Sequence, residues 1–245
     1  MKARNIISLI LIIFLAYFLF QALNLVPGFG MANIEERTAT HYINKDVNSK
    51  KEEIKFNESK NPESGSANMV TSVVVNYRSF DTLGEVTVLF IAATGIGAIL
   101  FRKRKKEKTM MDEDGSLILV TGVKILFPLL LLLGTYIFVH GHLTPGGGFQ
   151  GGAVIATAFL LMFLAKKNYK LDNSKFKLIE GIAGITFVGL GLIGLATKGY
   201  FLMNFLNNGV IGSSFSSGII PIIYIAIGFK VGAELAGIIS NLVEA

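Results

Sequence analysis

The sequence predicts an all-α fold: a polytopic membrane protein with six transmembrane helices and with both termini in the cytoplasm. Of its 245 residues, 51% are hydrophobic and only 16% are charged, whereas soluble domains carry roughly 25% charged residues. Six apolar segments, each near the roughly 20 residues that a helix needs to cross a bilayer, are separated by polar connections. The net charge of +6 does not indicate nucleic-acid binding, because the basic residues do not gather on one soluble face.

The first two spans form a predicted N-terminal region at 1–105. Residues 5–26 contain no charge and follow Lys2 and Arg4, a pattern that a signal peptide also shows. The apolar run exceeds the usual core of about 7–15 residues and no convincing cleavage site follows it, so we expect a retained span. The second span covers about 80–101.

A long hydrophilic loop, 27–79, connects these two spans and is predicted to be extracytoplasmic. Its middle, about 44–66, is too polar to form a core of its own, and we expect it to be flexible. The Val-rich stretch at 69–77 fits either a short strand or a helix that lies at the membrane surface.

A cytoplasmic linker at 106–116 is expected to lead into a four-span domain at 117–245. The Pro- and Gly-rich reversal HGHLTPGGGFQG separates its first two spans. Pro128 should kink the third span and free a backbone carbonyl, which is tolerated only against protein or a cavity. The third to sixth spans are predicted at about 117–139, 150–165, 178–197 and 218–240.

The distribution of basic residues sets the predicted orientation. With the N-terminus inside, Lys2 and Arg4, six basic residues at 102–108 and five at 166–177 all fall on the cytoplasmic side. The connection between spans five and six carries only Lys198, and the one between spans three and four carries no charge. The positive-inside rule therefore places both ends of the chain in the cytoplasm.

The motif GLGLIG at 189–194 matches the dinucleotide-binding fingerprint letter for letter. That fingerprint requires a preceding strand and a helix start that faces water. Here it lies inside an apolar span, where small residues let helices approach closely, so we expect packing and no cofactor. With no cysteine in the chain, thiolate metal sites are excluded as well. An enzyme acting on a soluble substrate finds no support.

Span six carries two charges on the face opposite a stripe of small residues. Lys230 and Glu234 are four residues apart and turned by about 200° from that stripe, at 100° per residue. Either they form a functional or inter-subunit ion pair, or both snorkel toward the cytoplasmic edge. Snorkelling suits Lys230 less, because an unpaired charge near mid-span costs about 3 kcal/mol. The small residues of the stripe are Gly228, Gly232, Ala236 and Ser240.

Two carboxylates, Asp81 and Glu85, are spaced to share one face at the outer end of span two. Both cannot ionise cheaply there without a cation or a basic partner, so one should hold a proton or recruit a cation. Asp81 also suits a helix cap. For Glu85 we expect a role in ion translocation, with a transient sodium ion nearby, against the alternative of a structural hydrogen bond.

The remaining polar residues of the spans have simpler interpretations. His140 and His142 flank Gly141 at the outer end of span three, where no cysteine or nearby acid completes a metal site. We expect hydrogen bonding in the hairpin, with a proton relay as the alternative. Lys124 and Glu180 lie one to two turns inside the cytoplasmic boundary, where snorkelling is cheap.

Two segments resemble known families. The stretch ANMVTSVVVNYRSFDTLGEVTVLF at 67–90 resembles the C-terminal part of the large A-type protein of Mrp-type sodium/proton antiporters, and the equivalent small subunit of archaeal membrane-bound hydrogenases. The stretch HGHLTPGGGFQGGAVIATAFLL at 140–161 resembles the four-span B-type protein of the same antiporters. The first resemblance covers about 1–105 and the second about 115–240, so the chain resembles a fusion of two neighbours.

These resemblances imply a small membrane subunit of a multi-subunit sodium/proton antiporter module that builds or lines the sodium path. The implied partners are the large proton-pumping subunits, the other small subunits and membrane lipid, with or without a hydrogenase or other redox arm. The implied location is the prokaryotic cytoplasmic membrane. An adaptor that only docks other subunits is the alternative. The family motifs point to Asp81 and Glu85, and to the hairpin residues Pro145, Gly146, Gly147, Phe149 and Gly151.

Overall fold

The structure, a computed structural model, divides the chain into two compact units, 1–47 and 48–245. The first unit contains α1 (Ala3–Asn24), an apolar helix whose side chains at 11–21 are exposed. Its position matches the first predicted span, and its crossing of the membrane stays a prediction. The residues that the structure describes are 3–24, 41–42, 54–103, 115–166 and 169–243.

Within the described part of the second unit, five helices are long and apolar enough to cross a membrane. Their ends agree with the predicted spans to within five residues, and the third span agrees at both ends. The described residues form helices and turns, with one isolated antiparallel bridge between Lys60 and Val210. The five helices are α2 (Ser79–Lys103), α3 (Leu117–Val139), α4 (Gly148–Ala165), α5 (Asn173–Lys198) and α6 (Ile220–Val243).

Other sequence-based expectations stay predictions. The described helices do not test the count of six spans or the cytoplasmic position of the termini. They also do not test the division of the chain into 1–105, 106–116 and 117–245. Most of the predicted linker, and of the loop 27–79 before residue 54, lies outside the described residues.

The ends of the helices follow local sequence signals. The Ser116 hydroxyl accepts a hydrogen bond from the Leu119 N–H at the start of α3, and the Asp172 carboxylate accepts one from the Lys175 N–H at the start of α5. Gly199 ends α5 in the left-handed conformation, at φ 83°, that a glycine adopts readily. In α3 the helix continues through Pro128 without a break.

The central helix of the second unit is α6, which packs against all four of the others. Inside the protein, 61% of its apolar span is buried, against 6% for α2. A Cβ atom on Gly152 of α4 would lie 2.8 Å from the Gly228 carbonyl oxygen and 2.9 Å from the Gly232 nitrogen. The two backbones therefore meet directly, which confirms the packing role predicted for this stripe.

Residues 69–77 are helical, so of the two predicted alternatives, a short strand or a helix, the helix is the one that the structure has. A short α-helix, Met69–Thr71, continues as a π-helix, Ser72–Tyr77, and leads into α2. The Asn68 side chain accepts hydrogen bonds from the Val70 and Thr71 N–H groups and so begins this helix.

The expectation of a flexible segment is wrong for residues 57–66. Pro62, Ser64 and Ser66 are buried in this stretch. The stretch is held by the connection between α5 and α6, residues 199–219. The Asn61 N–H donates to the Gly209 carbonyl at 2.8 Å, and the Asn208 side-chain amide donates to the Pro62 carbonyl at 3.0 Å. A polar segment without a core of its own is thus ordered by hydrogen bonds to a second polar segment.

Candidate functional site

A cluster of three charged side chains lies between the helices of the second unit. The Lys230 ammonium on α6 lies 2.9 Å from Glu234 Oε1, one turn further along the same helix. It also lies 3.6 Å from Glu180 Oε1 on α5 and 4.8 Å from the centre of the Phe90 ring on α2. We call Glu180, Lys230 and Glu234 the charge cluster.

The position of the charge cluster follows from the two faces of α6. The stripe with Gly228 and Gly232 faces α3 and α4, since a Cβ atom on Gly228 would meet the Phe138 ring and one on Gly232 would meet Ile155. The opposite face carries Lys230 and Glu234, with Lys230 directed toward α5. The structure pairs Lys230 with Glu234 within the chain, and the functional or inter-subunit role of this pair stays a prediction. Their exposed fractions, 8% for Lys230 and 3% for Glu234, rule out snorkelling within this structure.

The sequence predicts that Glu180 snorkels to the membrane edge, and the structure corrects this prediction. Its side chain is directed to Lys230 and retains 20% exposure. The sequence does contain a signal, an acid in one apolar span and a lysine in another. Periodicity cannot say which spans pair, so the partner could not be assigned before the structure was known.

The charges within the cluster do not balance, since two carboxylates face one ammonium. Taking a charge out of water is costly unless it is paired and its other polar atoms are satisfied. Glu234 Oε1 is satisfied by Lys230, but Glu234 Oε2 is buried and has no hydrogen-bond partner among the residues that the structure describes. The aromatic face of Phe90 adds a favourable cation–π contact to the ammonium.

Asp81 and Glu85 lie apart from the charge cluster, on exposed parts of α2. Asp81 lies in the first turn of the helix, not at its cap, and pairs with Arg78 at 2.6 Å. With both side chains more than half exposed, this pair contributes little to stability. Glu85 has no hydrogen bond or ion pair with any other residue that the structure describes.

The two hairpin histidines have different surroundings. The His140 ring stacks on Tyr136 with 4.6 Å between ring centres. His142 is 2% exposed, and neither of its ring nitrogens has a hydrogen-bond partner of good geometry within the described structure. Burial lowers the pKa of His142, outweighing the backbone groups of Ser214 and Val139 that favour its charged form. The described residues hold no group of three His, Cys, Asp or Glu side chains that could bind a metal ion.

In the hairpin between α3 and α4, glycines lie so close to neighbouring backbone carbonyls that there is no room for a side chain. A Cβ atom on Gly151 would lie 2.6 Å from the Gly134 carbonyl oxygen, and one on Gly146 would lie 2.8 Å from the Ile137 carbonyl oxygen. Phe149 packs against the main hydrophobic core. Gly147 is buried and Pro145 is exposed.

Residues 66–77 hold the hairpin through polar contacts. The Thr71 hydroxyl donates to the Gly141 carbonyl at 2.6 Å and also contacts the Tyr224 hydroxyl at 2.9 Å. The Asn68 side-chain amide donates to the carbonyls of Gly141 and Thr144, both at 2.9 Å. We call these contacts the clasp; they join the region preceding α2 to the hairpin and to α6.

The glycines of GLGLIG lie in the interior of α5, as expected for packing rather than for a nucleotide loop. A Cβ atom on Gly191 would meet the Phe201 ring at 2.5 Å, and one on Gly194 would meet the Met203 carbonyl oxygen at 2.7 Å. No described atom lies within 4 Å of such an atom on Gly189. Two of the three glycines therefore let the following connection fold back onto the helix.

The described membrane-length helices, with a charge cluster between them, define a polytopic membrane protein. The family model described as a domain related to the MnhB subunit of Na+/H+ antiporters matches residues 118–237, and the MbhE model, which describes an MBH subunit, matches residues 18–114. A chain in the structure of the membrane-bound sulfane sulfur reductase, an archaeal respiratory membrane complex, is 46% identical; the alignment covers 99% of each chain with a TM-score of 0.73. This chain therefore belongs to the family of membrane subunits that join an MbhE-like segment to an MnhB-related domain.

More distant relatives extend the comparison. The protein MJ1307 of Methanocaldococcus jannaschii is 35% identical over 69% of this chain and 74% of its own length. The probable K(+)/H(+) antiporter A/B subunit of Rhizobium meliloti is 30% identical over 42% of this chain, but only 13% of that protein is matched. A chain of the Mrp complex from Dietzia sp. DQ12-45-1b shares the fold, with a TM-score of 0.64 and 23% identity over 99% of this chain and 26% of its own.

Proposed function

We propose that this chain is a membrane subunit of a multi-subunit, Mrp-type sodium/proton antiporter module and that it lines the ion path. The observation that carries the proposal is the charge cluster, which lies between helices of membrane length. Ionisable residues in such helices are expensive and mark ion or proton pathways by default. The role is that of a transporter subunit, and any redox catalysis would belong to other subunits.

The proposed partners are the large antiporter subunits and the other small subunits of the same module. The two solved structures described above are multi-subunit membrane complexes, and one of them is respiratory, which supports an attached redox arm as one form of the assembly. The apolar side chains exposed on α2, α3 and α5 would then meet lipid or neighbouring subunits.

The proposed topology has six spans in a prokaryotic cytoplasmic membrane, with both termini in the cytoplasm and α1 as the first span. The segments 54–78, 140–147 and 199–219 contact one another, so they lie at one end of α2–α6. The other ends of α2 and α4 are the ones that lead, in the sequence, into stretches rich in basic residues. The positive-inside rule makes that opposite end cytoplasmic.

Glu85 is proposed to meet the cation before the charge cluster does. It is exposed on α2, and its carboxylate is not engaged by any described residue. Asp81, one turn earlier, is engaged by Arg78. A carboxylate without a protein partner is free to bind a cation or a basic group of a neighbouring subunit.

Sodium-driven proton movement in membrane vesicles that contain the assembled complex tests the proposal. Lys230→Met keeps most of the side-chain volume but removes the ammonium, leaving the buried Glu234 and the partly exposed Glu180 without a counter-charge. Breaking a buried pair costs about 3–5 kcal/mol of stability, so assembly of the variant complex is verified first. In the assembled complex we expect transport to fall strongly, because the ammonium that faces both carboxylates is gone. Glu234→Gln is the gentler variant, because it keeps the shape of the side chain, and it should also reduce transport.

The matched control is Lys124→Met, which removes the same charge from an exposed position on α3. It should transport normally. An assembled Lys230→Met or Glu234→Gln complex with normal transport would remove the charge cluster from the ion path.

A structural adaptor is the second candidate, and the clasp is the observation that favours it. A subunit whose two parts are joined by buried hydrogen bonds can dock its neighbours without touching an ion. In that case Glu234→Gln would leave transport intact, whereas Asn68→Ala, which weakens the clasp, would release other subunits from the complex. Subunit composition measured by mass spectrometry separates these outcomes.

A further inference from the structure

The charge cluster carries one more negative than positive charge when all three groups are ionised. The groups that face Lys230 come from three helices: Glu234 on α6, Glu180 on α5 and the uncharged Phe90 ring on α2. The described residues provide no second cation within ion-pair distance of either carboxylate. One further positive charge would bring the cluster to neutrality, which burial favours.

The buried oxygen of the cluster shows where that charge would be needed. Glu234 is 3% exposed, and its Oε2 has no hydrogen-bond partner among the described residues, whereas its Oε1 is held by Lys230. An ionised carboxylate with an unsatisfied oxygen in an apolar interior is far less stable than a neutral one. This atom is therefore the point at which the cluster gains most from neutralisation.

The donor set suits a proton better than a metal cation. Hard cations require several oxygen ligands arranged around them, and this cluster supplies two carboxylates, one of which already has an ammonium 2.9 Å away. That ammonium would repel a metal ion placed between the carboxylates. A proton requires one oxygen atom and no coordination shell.

We infer, on the basis of the proposed function, that the charge cluster binds one exchangeable proton, which enters through Glu180 and resides on Glu234. Glu180 is the entrance because its side chain is 20% exposed, against 1% for Glu234. The proton adds to a carboxylate oxygen and takes the net charge of the cluster from minus one to zero. Its release restores the ionised carboxylate and the full pair with Lys230.

Lys230 is placed to follow the proton. Its ammonium lies 2.9 Å from the Glu234 carboxylate and 3.6 Å from the Glu180 carboxylate. A small displacement would therefore bring it closer to Glu180 than to Glu234. When Glu234 is neutral, the ammonium is drawn to the ionised Glu180. When Glu234 is ionised, the ammonium returns to it.

Infrared difference spectra of the full chain in lipid nanodiscs, recorded between alkaline and acidic buffer, test this inference. The wild-type chain should gain a band of a buried protonated carboxyl group on acidification. Glu234→Gln should lose that band. Glu180→Gln should keep it but gain it more slowly after a pH jump, because the entrance is blocked.

The matched control is Glu58→Gln, which changes an exposed glutamate outside the membrane-length helices. It should leave the band intact. In Lys230→Met the band should persist to more alkaline buffer, because the competing ammonium is gone. Circular dichroism and size-exclusion profiles establish that each variant is folded.

Three results would overturn the inference: a wild-type band that does not change with pH, a band that Glu58→Gln removes and Glu234→Gln keeps, or a band that sodium abolishes at constant pH. These spectra do not depend on transport. If the band is absent while Lys230→Met still loses transport in vesicles, the inference fails and the proposed function stands. If the band is present while Lys230→Met transports normally, proton binding by the charge cluster stands and the proposed function fails.

Discussion

The contact between α4 and α6 gives the sharpest prediction about stability. Gly152→Ala places a methyl group 2.8 Å from the Gly228 carbonyl oxygen, 2.8 Å from Val231 Cβ and 2.9 Å from the Gly232 nitrogen. Favourable contacts between carbon atoms lie at about 3.5–4.0 Å, so the helices must separate by several tenths of an ångström or more. Two of the three atoms are backbone, which cannot rotate out of the way.

The expected magnitude is a difference between two terms. Overpacking of this kind costs about 1–3 kcal/mol, and alanine regains about 1 kcal/mol over glycine in a helix interior. We therefore expect Gly152→Ala to lower the free energy of unfolding by up to about 2 kcal/mol. Gly152→Val, with a larger side chain, should lower it further.

Gly189→Ala is the matched control, since it makes the same substitution inside α5 at a position with no described atom within 4 Å. It should leave the free energy of unfolding unchanged or raise it by up to about 1 kcal/mol. Thermal unfolding of the full chain in detergent, followed by circular dichroism, measures both variants. A Gly152→Ala chain as stable as Gly189→Ala would refute direct backbone contact between α4 and α6.

Three other predictions follow from the described residues. Thr71→Val removes the buried hydroxyl that joins Gly141 to Tyr224, and it should lower the free energy of unfolding, measured by chemical denaturation, by about 1–3 kcal/mol. The control Thr157→Val, on an exposed helix face, should change it by no more than about 0.5 kcal/mol. Because burial holds the pKa of His142 below its ordinary value of 6.5, the unfolded chain binds a proton more readily than the folded chain does, and stability should fall as the pH drops below about 6.5. His142→Gln should flatten that fall in pH-dependent melting curves, and an unchanged slope would contradict the burial of this side chain. With no native cysteine, Ser214→Cys should react with an impermeant thiol reagent from outside intact cells and Ser174→Cys should not; the opposite pattern would invert the proposed topology.

The helices were predictable because the apolar runs that fill them are long and bounded by polar residues. The third span, 117–139, could be placed at both ends because the polar linker precedes it and the glycine-rich reversal follows it. The small-residue stripe of α6 was also predictable, since a four-residue spacing fixes a helix face whatever that face meets.

The contacts between elements were much harder to predict. Glu180 looked like a snorkelling side chain because nothing in the sequence pairs α5 with α6, and the structure directs it to Lys230. Residues 57–66 looked flexible because they lack apolar residues, yet backbone and amide hydrogen bonds to 208–211 hold them. Each error concerns an interaction between residues far apart in sequence, which local periodicity cannot specify.

The two faces of α6 connect the clasp with the charge cluster. The Tyr224 hydroxyl shares a hydrogen bond with the Thr71 hydroxyl in the clasp. Lys230 follows six residues later, a rise of about 9 Å along one uninterrupted helix. Between them, Gly228 fixes the helix against α4 at backbone distance, so α6 cannot rotate or slide there without a clash. A displacement at the hairpin end would therefore move α4 and α6 together against α5, where the 3.6 Å contact between Lys230 and Glu180 is sensitive to small shifts. Small residues on one face are thus what allows the ion pair on the other face to be held with definite geometry.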